Sequence, residues 1–254
     1  MRQLEDAVIL GESLKTLGFD TARDYLNETL LGDIFHRMFD KNICKREDVF
    51  ITTKVGNSQQ RKRNMELEID ISLKSFRLDY IDLWLLHWPL PEYWLDNWEQ
   101  INRIYEKGKV KAIGIANCRE RHIDELKISG LMMPHVLQVE YHPFRTVPSF
   151  KKLCIDNNIQ LEAYSANCLM LPFVKNNVLL NELAHKYGKS ITQVIMRWHI
   201  QQGVIPIFRS FNSEHIRDNV DVYGFELTDT EMQQIYALNQ NYKFHPESLN
   251  CPGY

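Results

Sequence analysis

Short apolar runs alternate along this chain with longer stretches whose apolar residues recur on one helical face. Runs rich in Val, Ile, Leu and aromatic residues stand at 49–55 (VFITTKV), 80–88 (YIDLWLLHW), 110–116 (VKAIGIA), 136–141 (VLQVEY), 160–165 (QLEAYS) and 204–210 (VIPIFRS), with a shorter candidate at 18–21 (GFDT). They alternate poorly between polar and apolar, as strands covered on both faces do. Helical patterns occupy 4–16, 27–39, 64–77, 97–107, 120–128, 147–157, 178–187 and 190–202. In the second of these, Leu30, Leu31, Ile34, Phe35 and Met38 fall on one side. Strand–helix alternation at this spacing predicts a parallel sheet with right-handed crossovers. With no Pro/Gly-rich break, the expectation is one domain over 1–254, a TIM-type (β/α)8 barrel. Such a barrel has eight strands. Seven candidates are present and the chain opens on a helical pattern, so the first barrel strand is expected to be missing, ahead of residue 1.

Composition narrows the class without naming a chemistry. A chain of 254 residues suits one α/β barrel, and 44% hydrophobic with 25% charged residues is ordinary for a globular protein. A net charge of −3 argues against a nucleic-acid binder held by electrostatics. No run approaches the roughly 20 apolar residues of a membrane span, and the opening MRQLEDAVIL lacks the charged-then-apolar layout of a signal peptide. Cys44, Cys118, Cys154, Cys168 and Cys251 form neither a CxxC pair nor a metal-ligand pattern. Free thiols in a reducing cytoplasm are expected, with no metal.

Active sites of parallel barrels sit at the C-terminal ends of the strands, so the polar residues there deserve comparison. The candidate strands deliver Asp20 with Tyr25 close behind, then Lys54, His87, Asn117, Gln138 with Glu140, Tyr164 with Ser165, and Arg209 with Ser210. Lys54 lies among Phe50, Ile51 and Val55. A lysine in such a strand needs a partner, and Asp20 on the preceding strand is the natural one. Taken singly, each has a plainer reading: a structural lysine, a core histidine, a loop tyrosine. Their joint placement on consecutive strand ends points elsewhere. An ammonium stabilises a phenolate over a phenol. A tyrosine beside it can give its proton to a carbonyl oxygen that is becoming an alkoxide, while His87 orients that carbonyl. A hydride from a nicotinamide would complete the reaction without a nucleophile or metal.

The segments that carry these residues resemble those of the aldo-keto reductases. GFDTARDYLNE, FITTKV, LDYIDLWLLHWP, GKVKAIGIANC, LQVEYHP, LEAYS and the run from IPIFRS to HIRDN occur in that family's order. The resemblance implies carbonyl reduction to an alcohol with a catalytic set of Asp20, Tyr25, Lys54 and His87, Tyr25 being the proton donor. It implies that Asn117 and Gln138 hold the nicotinamide carboxamide and that Tyr164 stacks on the ring. Ser165 would meet the pyrophosphate, Arg209, Ser210 and His215 the 2′-phosphate, and Asn219 the adenine. Trp88 would help wall a pocket for a small carbonyl compound. The expected cofactor is NADPH. NADH is a second possibility, because His215 stands where the family has arginine near the 2′-phosphate; Ala116 stands where the family has serine, which removes one carboxamide hydrogen bond. The family's N-terminal hairpin is expected to be missing together with its first strand. A monomer or weak oligomer is expected. Two other readings stay open: a non-catalytic or impaired nicotinamide-nucleotide-binding protein of the same fold, and a hydrolase built on Glu140 and Glu162.

Overall fold

The computed structural model describes residues 18–210, 212–246 and 251. The helix expected over 4–16 lies outside them. Contacts group the chain into two units, Met1–Gln138 with Pro246–Tyr254, and Val139–His245.

The first unit holds β1 (Gly18–Asp20), β2 (Phe50–Val55), β3 (Ile81–Leu86), β4 (Val110–Ala116) and the opening residues of β5 (Val136–Glu140). These strands are parallel and adjacent in chain order. Helices α1 (Glu28–Asp40), α2 (Met65–Phe76), α3 (Trp94–Glu106) and α4 (Glu120–Ser129) form the crossovers. The register explains which residues share a face. Lys54 pairs with Leu85, Leu85 with Gly114, and Gly114 with Val136. Because side chains alternate along a strand, Lys54 shares its face with a cluster of Leu83, Leu85, Ala116 and Val136. Thr53 points the other way, toward the helices, and donates to buried Glu28 of α1. Gly114 has a steric duty in this layer. A Cβ there would lie 2.3 Å from the Val136 carbonyl oxygen and 2.6 Å from Leu85 Cδ2.

The second unit continues with the end of β5, β6 (Gln160–Tyr164) and β7 (Ile205–Pro206). Its helices are α5 (Pro148–Asp156), α6 (Val178–Tyr187), α7 (Ile191–Gln201), α8 (Ser213–Val220) and α9 (Asp229–Tyr236). Tyr141 stacks on Trp198 of α7, with ring centroids 5.7 Å apart, and donates its hydroxyl hydrogen to Gln202. Helix α9 starts with a reciprocal cap: Thr228 and Glu231 each accept the other's backbone N–H.

Seven strands are found among the described residues, the number read from the sequence. One of them needs correction. The strand expected over 204–210 is only Ile205–Pro206. Pro206, paired with Ala163, turns its N away from β6 and has no N–H to offer on that side. One more backbone bond forms, from Ile207 N to Ala163 O at 2.7 Å, and the chain then leaves the sheet. Arg209 and Ser210 therefore lie on a loop rather than at a strand end. Among the described residues, no helix is long and apolar enough to cross a membrane.

Candidate active site

The site in the first unit is built around a buried ammonium. Lys54 is 2% exposed. Its Nζ donates to Asp20 Oδ1 and, at 2.9 Å, to the Thr21 carbonyl. A charge this deep is tolerable only with such partners. The other oxygen of Asp20 accepts from the Gln138 amide at 2.8 Å. Asp20, Lys54 and Gln138 thus form one linked set, placed by the ends of β1 and β2 and the middle of β5.

Tyr25 arrives from a single 3-10 turn, Arg23–Tyr25, that follows β1. Residues around this turn hold it through buried Glu28. That carboxylate accepts from Thr53 at 2.7 Å and from Ser72 at 3.0 Å, and pairs with Arg23 at 3.1 Å. Thr21 Oγ1 adds a bond to Asn27 at 2.5 Å. Tyr25 itself is 52% exposed. The Lys54 ammonium lies 5.5 Å from its ring centroid, and the His87 ring meets it edge-on at 5.9 Å. His87 follows β3, and its backbone N–H continues the ladder to Val55 O at 3.0 Å. The four residues expected to act together are therefore brought together. A half-exposed phenol, a buried cation and an imidazole lie side by side.

The residues expected to hold a nicotinamide carboxamide sit beside this group. Asn117 follows β4 with a left-handed φ of 58°, a conformation that asparagine tolerates better than most residues. The turn directs its amide to the His87 carbonyl at 2.9 Å, so Asn117 also fixes the backbone of His87. Trp88 is 7% exposed and packs with Leu90, Tyr93 and Cys251. Its carbonyl accepts from Gln60 at 2.9 Å.

In the second unit, Tyr164 ends β6 and Ser165 follows it with a φ of 50°. The His245 ring lies edge-on to Tyr164 at 5.6 Å and its Nε2 is 3.4 Å from Ser165 Oγ. Arg209 is exposed, and Ser210 leads into the start of α8. Ser210 Oγ accepts from Asn212 N at 3.1 Å. His215 is exposed in the first turn of α8, and Asn219 is buried near its end.

Several contributors were not singled out in the sequence. Asp24, Glu28 and Thr21 touch the four expected residues or the turn that carries Tyr25, and Asp24 and Glu28 were visible only as acids flanking Tyr25. Glu140 anchors the segment that carries His245. Its carboxylate accepts from Phe244 N at 2.6 Å, His245 N at 3.0 Å and His142 Nε2 at 3.2 Å. Burial opposes the ionisation of Glu140, but the bonds from His142 and these two N–H groups outweigh it and hold its pKa below the usual carboxylate range. A carboxylate used this way is structural, which counts against a hydrolase built on Glu140. Among the described residues, no group of three His, Cys, Asp or Glu could hold a metal.

Comparison with known proteins places this geometry in a family. The profile of the Aldo/keto reductase family matches residues 3–167 and 172–240. An uncharacterised oxidoreductase of Bacillus subtilis, YtbE, is 34% identical over 254 residues, spanning 98% of this chain and 90% of the relative. The glyoxal reductase of the same organism is 37% identical over 227 residues, spanning 89% and 80%. Among solved structures, an aldo-keto reductase of Bombyx mori in complex with NADP superimposes with a TM-score of 0.90 at 28% identity, covering 99% of this chain and 88% of the other. An aldo-keto reductase from a deep-sea metagenome library, MGS-M4, gives a TM-score of 0.89 at 32% identity, covering 97% and 90%. With the profile running through nearly all of the sequence and these relatives matched over most of their length, the chain belongs to the aldo/keto reductase family.

Proposed function

We propose that this protein reduces aldehydes or ketones to alcohols, with NADPH as the reductant and Tyr25 as the proton donor. The observation that carries the reading is the Lys54 ammonium, buried between Asp20 and the ring of a half-exposed Tyr25. NADPH, when bound, supplies the hydride. Tyr25 delivers the proton to the carbonyl oxygen as negative charge builds there. Lys54 stabilises the charge left on the phenol oxygen, and Asp20 holds the lysine in place. His87 orients the carbonyl. The half-exposed Tyr25 is open to an incoming substrate, whereas Lys54 and Gln138 are sealed from water.

The donor set suits the cofactor. Amide side chains at 117 and 138 complement a carboxamide, the ring of Tyr164 complements a planar heterocycle, and Arg209 is a fork for a phosphate. Two relatives bear on the same point, one named a glyoxal reductase and one solved with NADP. The intact catalytic set favours catalysis over nucleotide binding alone. The test is NADPH oxidation with small aldehydes by wild type and Tyr25→Phe. The variant is expected to lose at least 10²-fold in kcat and to bind NADPH as wild type does. Equal turnover by the two proteins would overturn the assignment.

A further inference from the structure

The chain that follows α9 returns to the turn after β5 and is pinned there by a series of bonds. Gln240 N and Tyr242 N both donate to the Phe144 carbonyl, at 3.1 and 3.0 Å, and Arg145 donates to Asn241 Oδ1 at 2.6 Å. Phe244 N and His245 N donate to Glu140, a carboxylate only 3% exposed. Burying an acid costs free energy unless hydrogen bonds replace its water, and here two of those bonds fix the backbone at 244 and 245. The segment therefore carries one firmly held imidazole. Its ring stands edge-on to Tyr164 with centroids 5.6 Å apart, and its Nε2 lies 3.4 Å from Ser165 Oγ. That contact is long, so the hydroxyl and the ring nitrogen both keep bonding capacity for a third group.

We infer that His245 is a further cofactor-binding residue, which shares with Ser165 the grip on the cofactor's pyrophosphate. This rests on the reductase reading and its nicotinamide cofactor. A pyrophosphate is doubly anionic, and the side chain of Ser165 offers it one neutral hydroxyl. The basic residues assigned to the cofactor, Arg209 and His215, are taken up by the 2′-phosphate. An imidazole meets the need beside Ser165. With its hydrogen on Nε2 it donates one N–H while neutral, and it adds a positive charge when protonated. A hydrogen bond to a charged acceptor is worth about tenfold or more in affinity. Because NADPH and NADH both carry the pyrophosphate, His245 strengthens the binding of both, whereas His215 bears on the ratio between them.

Wild type, His245→Phe and His245→Gln are titrated by quenching of tryptophan fluorescence. The ligands are NADPH, NADH, 2′-phospho-ADP-ribose, which keeps the pyrophosphate but lacks nicotinamide, and 2′-AMP, which lacks both. Phenylalanine keeps a ring against Tyr164 and removes the donor, whereas glutamine keeps a donor. The phenylalanine variant is expected to bind the three pyrophosphate ligands about tenfold more weakly and 2′-AMP as wild type does. The glutamine variant should recover most of that loss. Inorganic pyrophosphate added to wild type is expected to shift the imidazole nitrogen signals of His245 in NMR spectra, assigned by their absence from either variant. That arm stands even if the phenylalanine variant does not fold, and unmoved signals would count against the contact. A loss confined to NADPH and NADH would overturn the inference by placing the effect at Tyr164. Unchanged affinities, or a loss equally large for 2′-AMP, would overturn it as well. Wild type that binds neither dinucleotide would overturn the cofactor reading and this inference with it.

Discussion

Replacing Lys54 by methionine separates what the buried ammonium does for the fold from what it does for the chemistry. The change keeps most of the stem volume, and the site is sealed, so apolar packing largely survives. What goes is the contact to Asp20 and the 2.9 Å bond to the Thr21 carbonyl. Breaking a buried ion pair by removing one partner costs about 3–5 kcal/mol, chiefly through the charge left behind. Here Asp20 is 16% exposed and keeps the Gln138 amide at 2.8 Å, which puts the expected loss near the low end, about 3 kcal/mol. Changing Asp20 to asparagine as well removes the stranded charge. Neutral replacement of a buried pair is often close to neutral in stability, so the double variant is expected to recover about 2 kcal/mol of the loss. Activity should not follow. The cation beside Tyr25 is missing from both proteins, and kcat should stay down by about 10²–10³-fold in each. Urea unfolding of wild type, both single variants and the double variant closes the cycle, and NADPH oxidation at saturating aldehyde reads the chemistry. A Lys54→Met enzyme with kcat within about threefold of wild type would refute the role in proton delivery. A double variant no more stable than Lys54→Met would refute the stranded-charge argument.

Three further outcomes are expected. Burial opposes the ionisation of Glu231, but Lys186 and Tyr187, each at 2.6 Å, and Thr228 outweigh it and bring its pKa down from 4.5 to about 2. A depressed carboxylate stabilises the fold above its unfolded pKa and loses that contribution as pH falls from about 4.5 through about 2. Because Lys186 is 54% exposed, solvent screening reduces the effect to about 1–2 kcal/mol. Glu231→Gln should therefore lower stability at pH 7 and converge on wild type toward pH 2, as read by urea titration, and a gap that persists at low pH would count against the linkage. Gly114→Ala forces a Cβ against the Val136 carbonyl oxygen at 2.3 Å, and a loss of about 2–3 kcal/mol should show as a lower thermal midpoint; an unchanged midpoint would contradict the close approach of β4 and β5. His215→Arg adds a guanidinium in the first turn of α8. It should raise the ratio of NADPH to NADH affinity by about 3–10-fold, and an unmoved ratio would remove His215 from the phosphate site.

The strand rhythm was legible because it depends on local sequence. The expected strand over 110–116 is β4 without adjustment, and 178–187 is α6. The last strand was misread because Ile205, Ile207 and Phe208 look like a continuing strand, while only Ile205–Pro206 pairs with β6, with one further bond from Ile207. Helices α8 and α9 were not anticipated. Each spans 8 residues, little more than two turns, and its start is marked by capping from Asn212 or Thr228. The pairing of Lys54 with Asp20 was also legible, since a lysine among strand residues demands an acid and the neighbouring strand offers one.

Which polar atom each remaining side chain chooses could not be read in this way. Gln138 reaches Asp20 across 118 residues, and Glu28 gathers Thr53 and Ser72 from 25 and 44 residues away. No periodicity encodes such partners, because they depend on where the crossovers return each strand. The same holds for Asp24. In the sequence it is an acid in a polar turn. Only the bare face of Gly56, supplied by the end of β2, and the buried nitrogen of His87, supplied by the end of β3, give it its place. The residue types expected to act together were thus legible from strand ends, whereas the contacts that support them emerge only where several chain segments meet.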